Sequence, residues 1–118
     1  MKASQSLSKV VHDYYHSYEA KDRELLESRV SEDFRFTSPR DDHIDRATYF
    51  KRCWPNNEKT KAIRIKKLFE QGDEVFVLYE LQPIDGPAFR NTEFLRTKDG
   101  KVTEVEVYFG SEKGSVGQ

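Results

Sequence analysis

The sequence predicts an α+β fold in which three N-terminal helices pack against an antiparallel sheet. Two observations predict this fold. Hydrophobic residues recur with the spacing of amphipathic helices as far as Pro55. From Ala62 onward, segments rich in Val, Ile, Phe and Tyr follow one another, with turn signals between them. An order in which helices come first and strands follow is typical of an α+β domain rather than of alternating βαβ units.

The three helices are predicted from their apolar stripes and from their capping residues. The stripe of the first helix consists of Leu7, Val11, Tyr14 and Tyr18, and that of the third of Ala47, Phe50 and Trp54. Asp22 is the expected N-cap of the short second helix, and Asp45 is the expected N-cap of the third. Between these two helices, Phe34 and Phe36 alternate with polar neighbours and predict a short strand that ends at Ser38.

Four strands are predicted at 62–70, 74–82, 88–97 and 101–109. Asp99-Gly100 favours a two-residue turn between the last two strands, with a bulged turn as the alternative. The two-residue turn places Phe94 opposite Val105 and Thr92 opposite Val107, so that apolar residues face apolar residues.

The composition predicts one domain over residues 1–118, with 111–118 as a flexible tail. The formal net charge of −1 gives no indication of binding to nucleic acid or to a membrane. Neither a secretory signal nor a membrane-spanning run is recognisable, so a cytoplasmic location is expected. Cys53 is the only cysteine, which excludes an intramolecular disulfide, and a packed thiol is favoured over a nucleophile.

Four segments carry a resemblance to a known family: the Tyr-rich first helix, 33–39 (DFRFTSP), 72–77 (GDEVFV), and the ending from Asp99-Gly100-Lys101-Val102 to Tyr108-Phe109-Gly110. Together with the order of elements, they resemble the NTF2-like superfamily and, within it, the SnoaL-like and ketosteroid-isomerase-like branch. The resemblance covers about Leu7 to Gly110. It implies a cone-shaped (cystatin-like) domain with a curved sheet, and it implies no cofactor.

The resemblance to ketosteroid isomerase can be tested residue by residue. That enzyme uses a carboxylate base with an oxyanion hole made of a tyrosine and a protonated aspartate. By resemblance Tyr14 matches the tyrosine, whereas Ser38 takes the position of the base and Thr92 that of the second donor. A serine hydroxyl without an assisting base does not accept a proton near neutral pH. Ketosteroid isomerisation by the usual carboxylate base is therefore not expected.

The resemblance also implies an aromatic-lined cavity on the concave side of the sheet, suited to a small hydrophobic ligand. The alternative is that the same side chains fill the interior as ordinary core. The residues expected to line the cavity are Tyr14, Phe36, Ser38, Trp54, Phe76, Leu78, Glu80, Thr92, Phe94, Val105, Val107 and Phe109.

Three residues are candidates for acid–base catalysis: Glu80 and Asp42 as the base, and Tyr14 as a hydrogen-bond donor. Glu80 is alternatively an ion-pair partner of Arg90 across the strands. Asp42 and His43 follow the first strand in a predicted loop, where they are alternatively ordinary turn residues.

No metal site is expected. His43 lacks a second spaced set of ligands, and His12 and His16 are predicted to lie on a solvated helix face although their spacing would suit a metal.

The predicted register puts Asn91 opposite Tyr108 and Glu93 opposite Glu106 on the convex face. Like charges in such a pair call for a neutralising cation. In the resembling family this face forms dimer interfaces, so a homodimer through the outer face of the sheet is predicted.

Three functional hypotheses follow. The first is a domain that binds a small hydrophobic ligand without chemistry of its own. The second is a cofactor-independent acid–base enzyme of the isomerase, cyclase, dehydratase or epoxide hydrolase type. The third is a filled core with a functional outer surface. The openness of the cavity and the presence of an acid or base inside it distinguish the three.

Overall fold

The computed structural model describes residues 7–112. The helices are α1 (Leu7–Ala20), α2 (Arg23–Arg29) and α3 (Arg46–Arg52), and a 3₁₀ helix follows at Trp54–Lys59. The strands are β1 (Val30–Ser38), β2 (Asp41–Asp45), β3 (Thr60–Gln71), β4 (Glu74–Pro83), β5 (Phe89–Lys98) and β6 (Lys101–Glu112). The three helices pack on the concave face of one curved, open sheet, which confirms the predicted fold class. None of the described helices is long and apolar enough to cross a membrane.

Both predicted helix caps are present. The Asp22 carboxylate accepts a hydrogen bond from the Leu25 backbone N–H (3.1 Å), and Asp45 accepts one from Thr48 (2.9 Å). The third helix ends at Arg52, earlier than its stripe predicted, so that Trp54 belongs to the following 3₁₀ helix. A proline near the start of that 3₁₀ helix explains the break, because its ring cannot continue an α-helix.

The sheet contains more than the predicted four-stranded meander. Its strand order is β2-β1-β6-β5-β4-β3, and β1 runs parallel to β6 while the other neighbours are antiparallel. The prediction of a loop after Ser38 was wrong, because Asp41–Asp45 forms the edge strand β2. Its mostly polar sequence shows no clear alternation, and pairing with β1 supplies the hydrogen bonds that hold it extended.

The turn at Asp99-Gly100 is confirmed, but the register beyond it is wrong. Both turn residues have positive φ (54° and 78°), as a two-residue hairpin turn requires, and Lys98 pairs with Lys101. A bulge then follows, because Thr97 pairs with Val102 whereas Arg96 already pairs with Glu104. One extra residue in β6 shifts every later pair, which the turn sequence alone does not reveal.

The bulge reverses the predicted faces of β5. Phe94 lies opposite Glu106 and Thr92 opposite Tyr108, on the outer face of the sheet. The inward residues of β5 are Asn91, Glu93, Leu95 and Thr97, all of them buried. β4 follows the same alternation, with Val75, Val77 and Tyr79 buried inside and Phe76 exposed outside.

The hydrophobic core lies between the helices and the concave face. Phe34 of β1 is completely buried, and its ring meets that of Tyr49 edge to face at 4.9 Å between centroids. The last strand continues to Glu112, into the segment that was predicted as a flexible tail. Residues 113–118 of that predicted tail lie outside the described residues.

Candidate functional site

A cavity of about 720 Å³ opens between the helices and the concave face of the sheet. Its lining is mainly aromatic and apolar. The residues around it are Tyr14, Tyr15, Tyr18, Phe36, Ser38, Arg40, Asp41, Tyr49, Arg52, Cys53, Asn56, Lys59, Thr60, Ile63, Tyr79, Leu81, Pro83, Phe89, Asn91, Glu93, Val107, Phe109 and Gly110. A space of this size accommodates a small organic ligand.

The predicted cavity residues divide into three groups. Those that line the cavity are Tyr14, Phe36, Ser38, Val107 and Phe109. Trp54 and Val105 are buried in the core instead. The inward placement of the remaining residues was wrong, because β4 and β5 turn them to the outer face; these residues are Phe76, Leu78, Glu80, Thr92 and Phe94.

Glu93 of β5 is a buried carboxyl group in the cavity wall, with 5% of its surface exposed. The Tyr15 hydroxyl donates a hydrogen bond to Oε1 (2.8 Å), and the Tyr79 hydroxyl donates one to Oε2 (2.6 Å). Burial raises the pKa of Glu93 to about 7, although both hydrogen bonds act to lower it. The carboxyl group therefore changes its protonation state near neutral pH. Its placement on the convex face was wrong, and of the predicted pair Glu93 and Glu106 only Glu106 lies there.

Asn91 fixes the direction of the Tyr79 hydroxyl. The amide Nδ2 donates to the Tyr79 oxygen (3.0 Å), and Oδ1 accepts a hydrogen bond from the Gly110 backbone N–H (3.3 Å). Because the Tyr79 oxygen accepts from the amide, its own proton is available for Glu93. Asn91, expected on the convex face, is thus a buried residue of the cavity wall that supports the Tyr79 hydroxyl.

A second hydrogen-bond cluster is centred on Tyr49 of α3. Its hydroxyl lies 2.8 Å from the Tyr14 hydroxyl and 2.6 Å from the Tyr18 hydroxyl, both of which come from α1. Burial raises the pKa values of Tyr14 and Tyr49 well above the ordinary range, so both remain protonated. Tyr14 is therefore a hydroxyl at the cavity surface that can donate a hydrogen bond, as its predicted role requires.

Replacing Tyr49 with Phe is expected to lower the free energy of unfolding by about 1–3 kcal/mol, because two buried hydroxyls lose their shared partner. Urea denaturation measures this change. Tyr108→Phe is the matched control, since that hydroxyl is on the exposed outer face and is expected to change stability by less than about 0.5 kcal/mol. Equal effects of the two substitutions would contradict a structural role for the Tyr49 cluster.

Charged residues surround the cavity mouth. The Arg52 guanidinium contacts Asp41 Oδ1 at 2.6 Å, and the Ser38 hydroxyl donates to Asp41 Oδ2 at 3.2 Å. Arg40 lies over the Phe109 ring, 5.6 Å from its centre. The carboxylate of this segment that reaches the cavity is thus Asp41. The predicted base Asp42 is exposed and pairs with His43.

Glu80 lies on the outer face, directly opposite Arg90 in the pairing of β4 with β5. Its carboxylate is 3.9 Å from the Arg90 side chain and 3.9 Å from Lys66. Of the two alternatives for Glu80, the structure therefore shows the ion-pair partner of Arg90. An acid or base for the cavity has to come from another residue.

The remaining candidates contribute little to the chemistry of the cavity. Cys53 borders it, and burial together with Asp41 raises the pKa of the thiol to about 11, so that little thiolate forms near neutral pH. His12 and His16 are exposed on α1, where His12 Nδ1 contacts the Ser8 carbonyl oxygen at 2.7 Å.

A family model described as a SnoaL-like domain matches residues 11–105. The chain belongs to the SnoaL-like family. This finding confirms the branch that the sequence motifs indicated. No curated protein matches this SnoaL-like chain.

Solved structures extend the comparison. An NTF2-like protein of unknown function from Cytophaga hutchinsonii is 23% identical, with 92% of this chain and 94% of that chain covered and a TM-score of 0.75. An LEH-like epoxide hydrolase from M. tuberculosis is 16% identical (87% and 81% covered, TM-score 0.74). IdmH from Streptomyces antibioticus, a proposed polyketide cyclase, is 18% identical (87% and 91% covered, TM-score 0.71). At these identities the likeness shows the fold alone.

Proposed function

We propose that this SnoaL-like domain binds a small hydrophobic molecule that carries an oxygen function, with that oxygen directed at Glu93. The observation that carries the proposal is a buried carboxyl group in the wall of a largely aromatic cavity. An apolar lining favours an apolar ligand through the hydrophobic effect. Because Glu93 is a buried carboxyl group in this lining, we expect it to direct the oxygen of the ligand.

The protonation of Glu93 determines which oxygen function fits. In its neutral form the carboxyl group can donate a hydrogen bond to a carbonyl oxygen, and as a carboxylate it can accept one from a hydroxyl group. A pKa of about 7 makes both forms available near neutral pH. Ketones, enols and phenols are thus the expected ligand class.

The second candidate function is proton transfer by Glu93, acting as a general base and then as a general acid. Its carboxylate would take a proton from the carbon beside a ketone and return it, while tyrosine hydroxyls support the enolate oxygen. The pKa near 7 favours this function, because a proton-transfer group works best when its pKa is close to the working pH. The fold shared with an epoxide hydrolase and a proposed cyclase is compatible with it.

Binding is tested with β-naphthol, an apolar fluorescent phenol, titrated into the protein. The Glu93→Gln variant preserves the size of the side chain but cannot ionise, and it is expected to weaken binding at least about tenfold. Glu80→Gln is the matched control, because Glu80 belongs to the adjacent strand and faces the opposite side of the sheet. An equal loss in both variants, or no binding to the wild-type protein, would refute the cavity as the binding site.

Proton transfer is tested separately by deuterium exchange into β-tetralone, followed by NMR. Exchange is expected to rise with pH around a midpoint near 7, to disappear in Glu93→Gln and to persist in Glu80→Gln. If the protein binds β-tetralone but does not accelerate exchange, the binding function stands and the catalytic one fails.

We also propose a homodimer through the outer face of the sheet, as the sequence predicted. Phe69 (68% exposed), Phe76 (49%) and Tyr108 (55%) form an apolar surface there. The same face carries carboxylates and cations, such as Glu106 and Arg90, that a two-fold contact could pair. Sedimentation equilibrium is expected to give twice the chain mass, and Phe76→Lys to give monomers; a monomeric wild-type protein would exclude the dimer.

A cytoplasmic location remains a prediction.

A further inference from the structure

One cluster of metal-ligating side chains lies on the outer face of the sheet, away from the cavity. His43 of β2, Glu104 and Glu106 of β6 each present one ligand atom, and the three atoms lie within 4.8 Å of one another. Only β1 separates the two strands, so the imidazole reaches across it. The His43 backbone N–H donates to the Thr37 hydroxyl of that intervening strand (3.0 Å), and Thr37 is itself the pairing partner of Glu106.

Each of the three side chains is held by a partner outside the set. The Asp42 carboxylate contacts His43 Nδ1 at 2.7 Å, which leaves Nε2 as the atom facing Glu104 Oε2 at 4.0 Å. Arg96 donates to Glu104 Oε1 (2.8 Å), and the Tyr108 hydroxyl donates to Glu106 Oε1 (3.1 Å). In protein metal sites, a carboxylate commonly accepts a hydrogen bond from the ring nitrogen of a histidine ligand that does not bind the metal. Carboxylate ligands are likewise held by hydrogen bonds from neighbouring groups.

We propose that His43, Glu104 and Glu106 bind a divalent transition-metal cation, with Zn²⁺ as the expected ion and water in the fourth position. One imidazole and two carboxylates are ligands that Zn²⁺ accepts at about 2.0–2.2 Å. Closing the present separations to that geometry takes shifts of about 1 Å, which an exposed His43 side chain allows. The imidazole favours a transition metal over Ca²⁺ or Mg²⁺, which prefer oxygen ligands alone.

The charge around the cluster also favours a cation. Asp42, Glu104 and Glu106 together bring three carboxylates. Two guanidiniums offset part of this charge: that of Arg96, which also contacts Glu74 at 2.8 Å, and that of Arg35 in β1, the pairing partner of Glu104. Two of the carboxylates alternate along β6 on one face, and like charges so placed are stabilised when a cation joins them. This site lies on the opposite face of the sheet from Glu93, so it stands or falls independently of ligand binding and proton transfer in the cavity, whereas the proposed homodimer uses the same outer face.

Isothermal titration of the full chain with ZnCl₂ tests the proposal. The wild-type protein is expected to bind one Zn²⁺ per chain, and His43→Ala and Glu106→Gln to abolish that binding. Asp42→Asn, which affects only the support of the imidazole, is expected to weaken it by about 10–100-fold. The matched control is the double variant His12→Ala, His16→Ala, which removes the other pair of histidines and is expected to leave binding unchanged.

Two results would overturn the proposal. One is the absence of binding to the wild-type protein at millimolar Zn²⁺, and the other is binding that survives His43→Ala but is lost in the double variant. Circular dichroism of each variant verifies its fold, which substitutions at these exposed or half-buried surface positions are expected to preserve. A metal at His43 would revise the expectation, drawn from the sequence alone, that the chain has no metal site.

Discussion

Replacing Glu93 with Gln is expected to stabilise the protein by about 3 kcal/mol above pH 7 and hardly at all below pH 4.5. The reason is that burial raises the pKa of this carboxyl group from 4.5 to about 7. Between these values the native state holds a proton that the unfolded state has lost, so the free energy of unfolding falls as the pH rises. Above pH 7 both states are ionised, and the native protein carries the full cost of a buried carboxylate.

The measurement is urea denaturation of the wild-type protein and of Glu93→Gln at several pH values from 4 to 8 (about one unit apart). Only the difference between the two proteins is interpreted, because all other ionisable groups are common to both. Glu80→Gln is the control, because it removes a carboxylate from the opposite face and leaves Glu93 in place, so that the loss of stability caused by Glu93 should persist in it. A constant difference between wild type and Glu93→Gln across this range would mean that Glu93 is not the titrating group.

Replacing Phe34 with Ala is expected to lower the free energy of unfolding by about 3–5 kcal/mol. The ring is completely buried between the sheet and α3 and lies edge to face against Tyr49. Removing it forfeits the transfer free energy of an aromatic side chain and leaves a cavity that its rigid neighbours cannot fill. For a domain of this size, that loss is a large part of the total stability.

Thermal and urea denaturation measure the effect, with Phe76→Ala as the control. Phe76 has the same side chain but is 49% exposed on the outer face, so its loss is expected to cost less than about 1 kcal/mol. The proposed homodimer would affect this comparison, and both variants are therefore measured over a range of protein concentrations. Similar losses for the two substitutions would contradict the assignment of Phe34 to the core.

The helices and turns of this chain could be predicted because their signals are local. Asp22 and Asp45 cap helices through their own side chains, and Asp99-Gly100 can adopt the positive φ values that a tight hairpin needs. The bulge beside Thr103 could not be predicted, since it depends on how β6 packs rather than on a turn residue. Because of this one extra residue in β6, Phe94 lies on the outer face of the sheet and not on the predicted inner face.

Glu93 was assigned to the wrong face because an inward carboxyl group looks like an outward one in an alternating strand. Both faces of β5 mix polar and apolar residues, so the alternation alone does not decide between them. The neighbouring strand held the missing signal: Val75, Val77 and Tyr79 alternate inward, whereas Glu80 lies outward against Arg90. Had the two faces of β5 been assigned from those of β4, Glu93 would have been predicted to face the cavity.

The parallel pairing of β1 with β6 has a consequence for the order in which the chain can fold. Val30 of β1 is the partner of Val102 of β6, so about three fifths of the sequence separates two neighbouring strands. During synthesis, β1 and the edge strand β2 emerge early but cannot join the sheet until the C-terminal strand has left the ribosome. The hairpins β3–β4, β4–β5 and β5–β6 join strands that are adjacent in the sequence, so they can form first. Closure of β6 onto β1 is thus the late step, and a chain that stops before β6 is left with two unpaired strand edges exposed to aggregation.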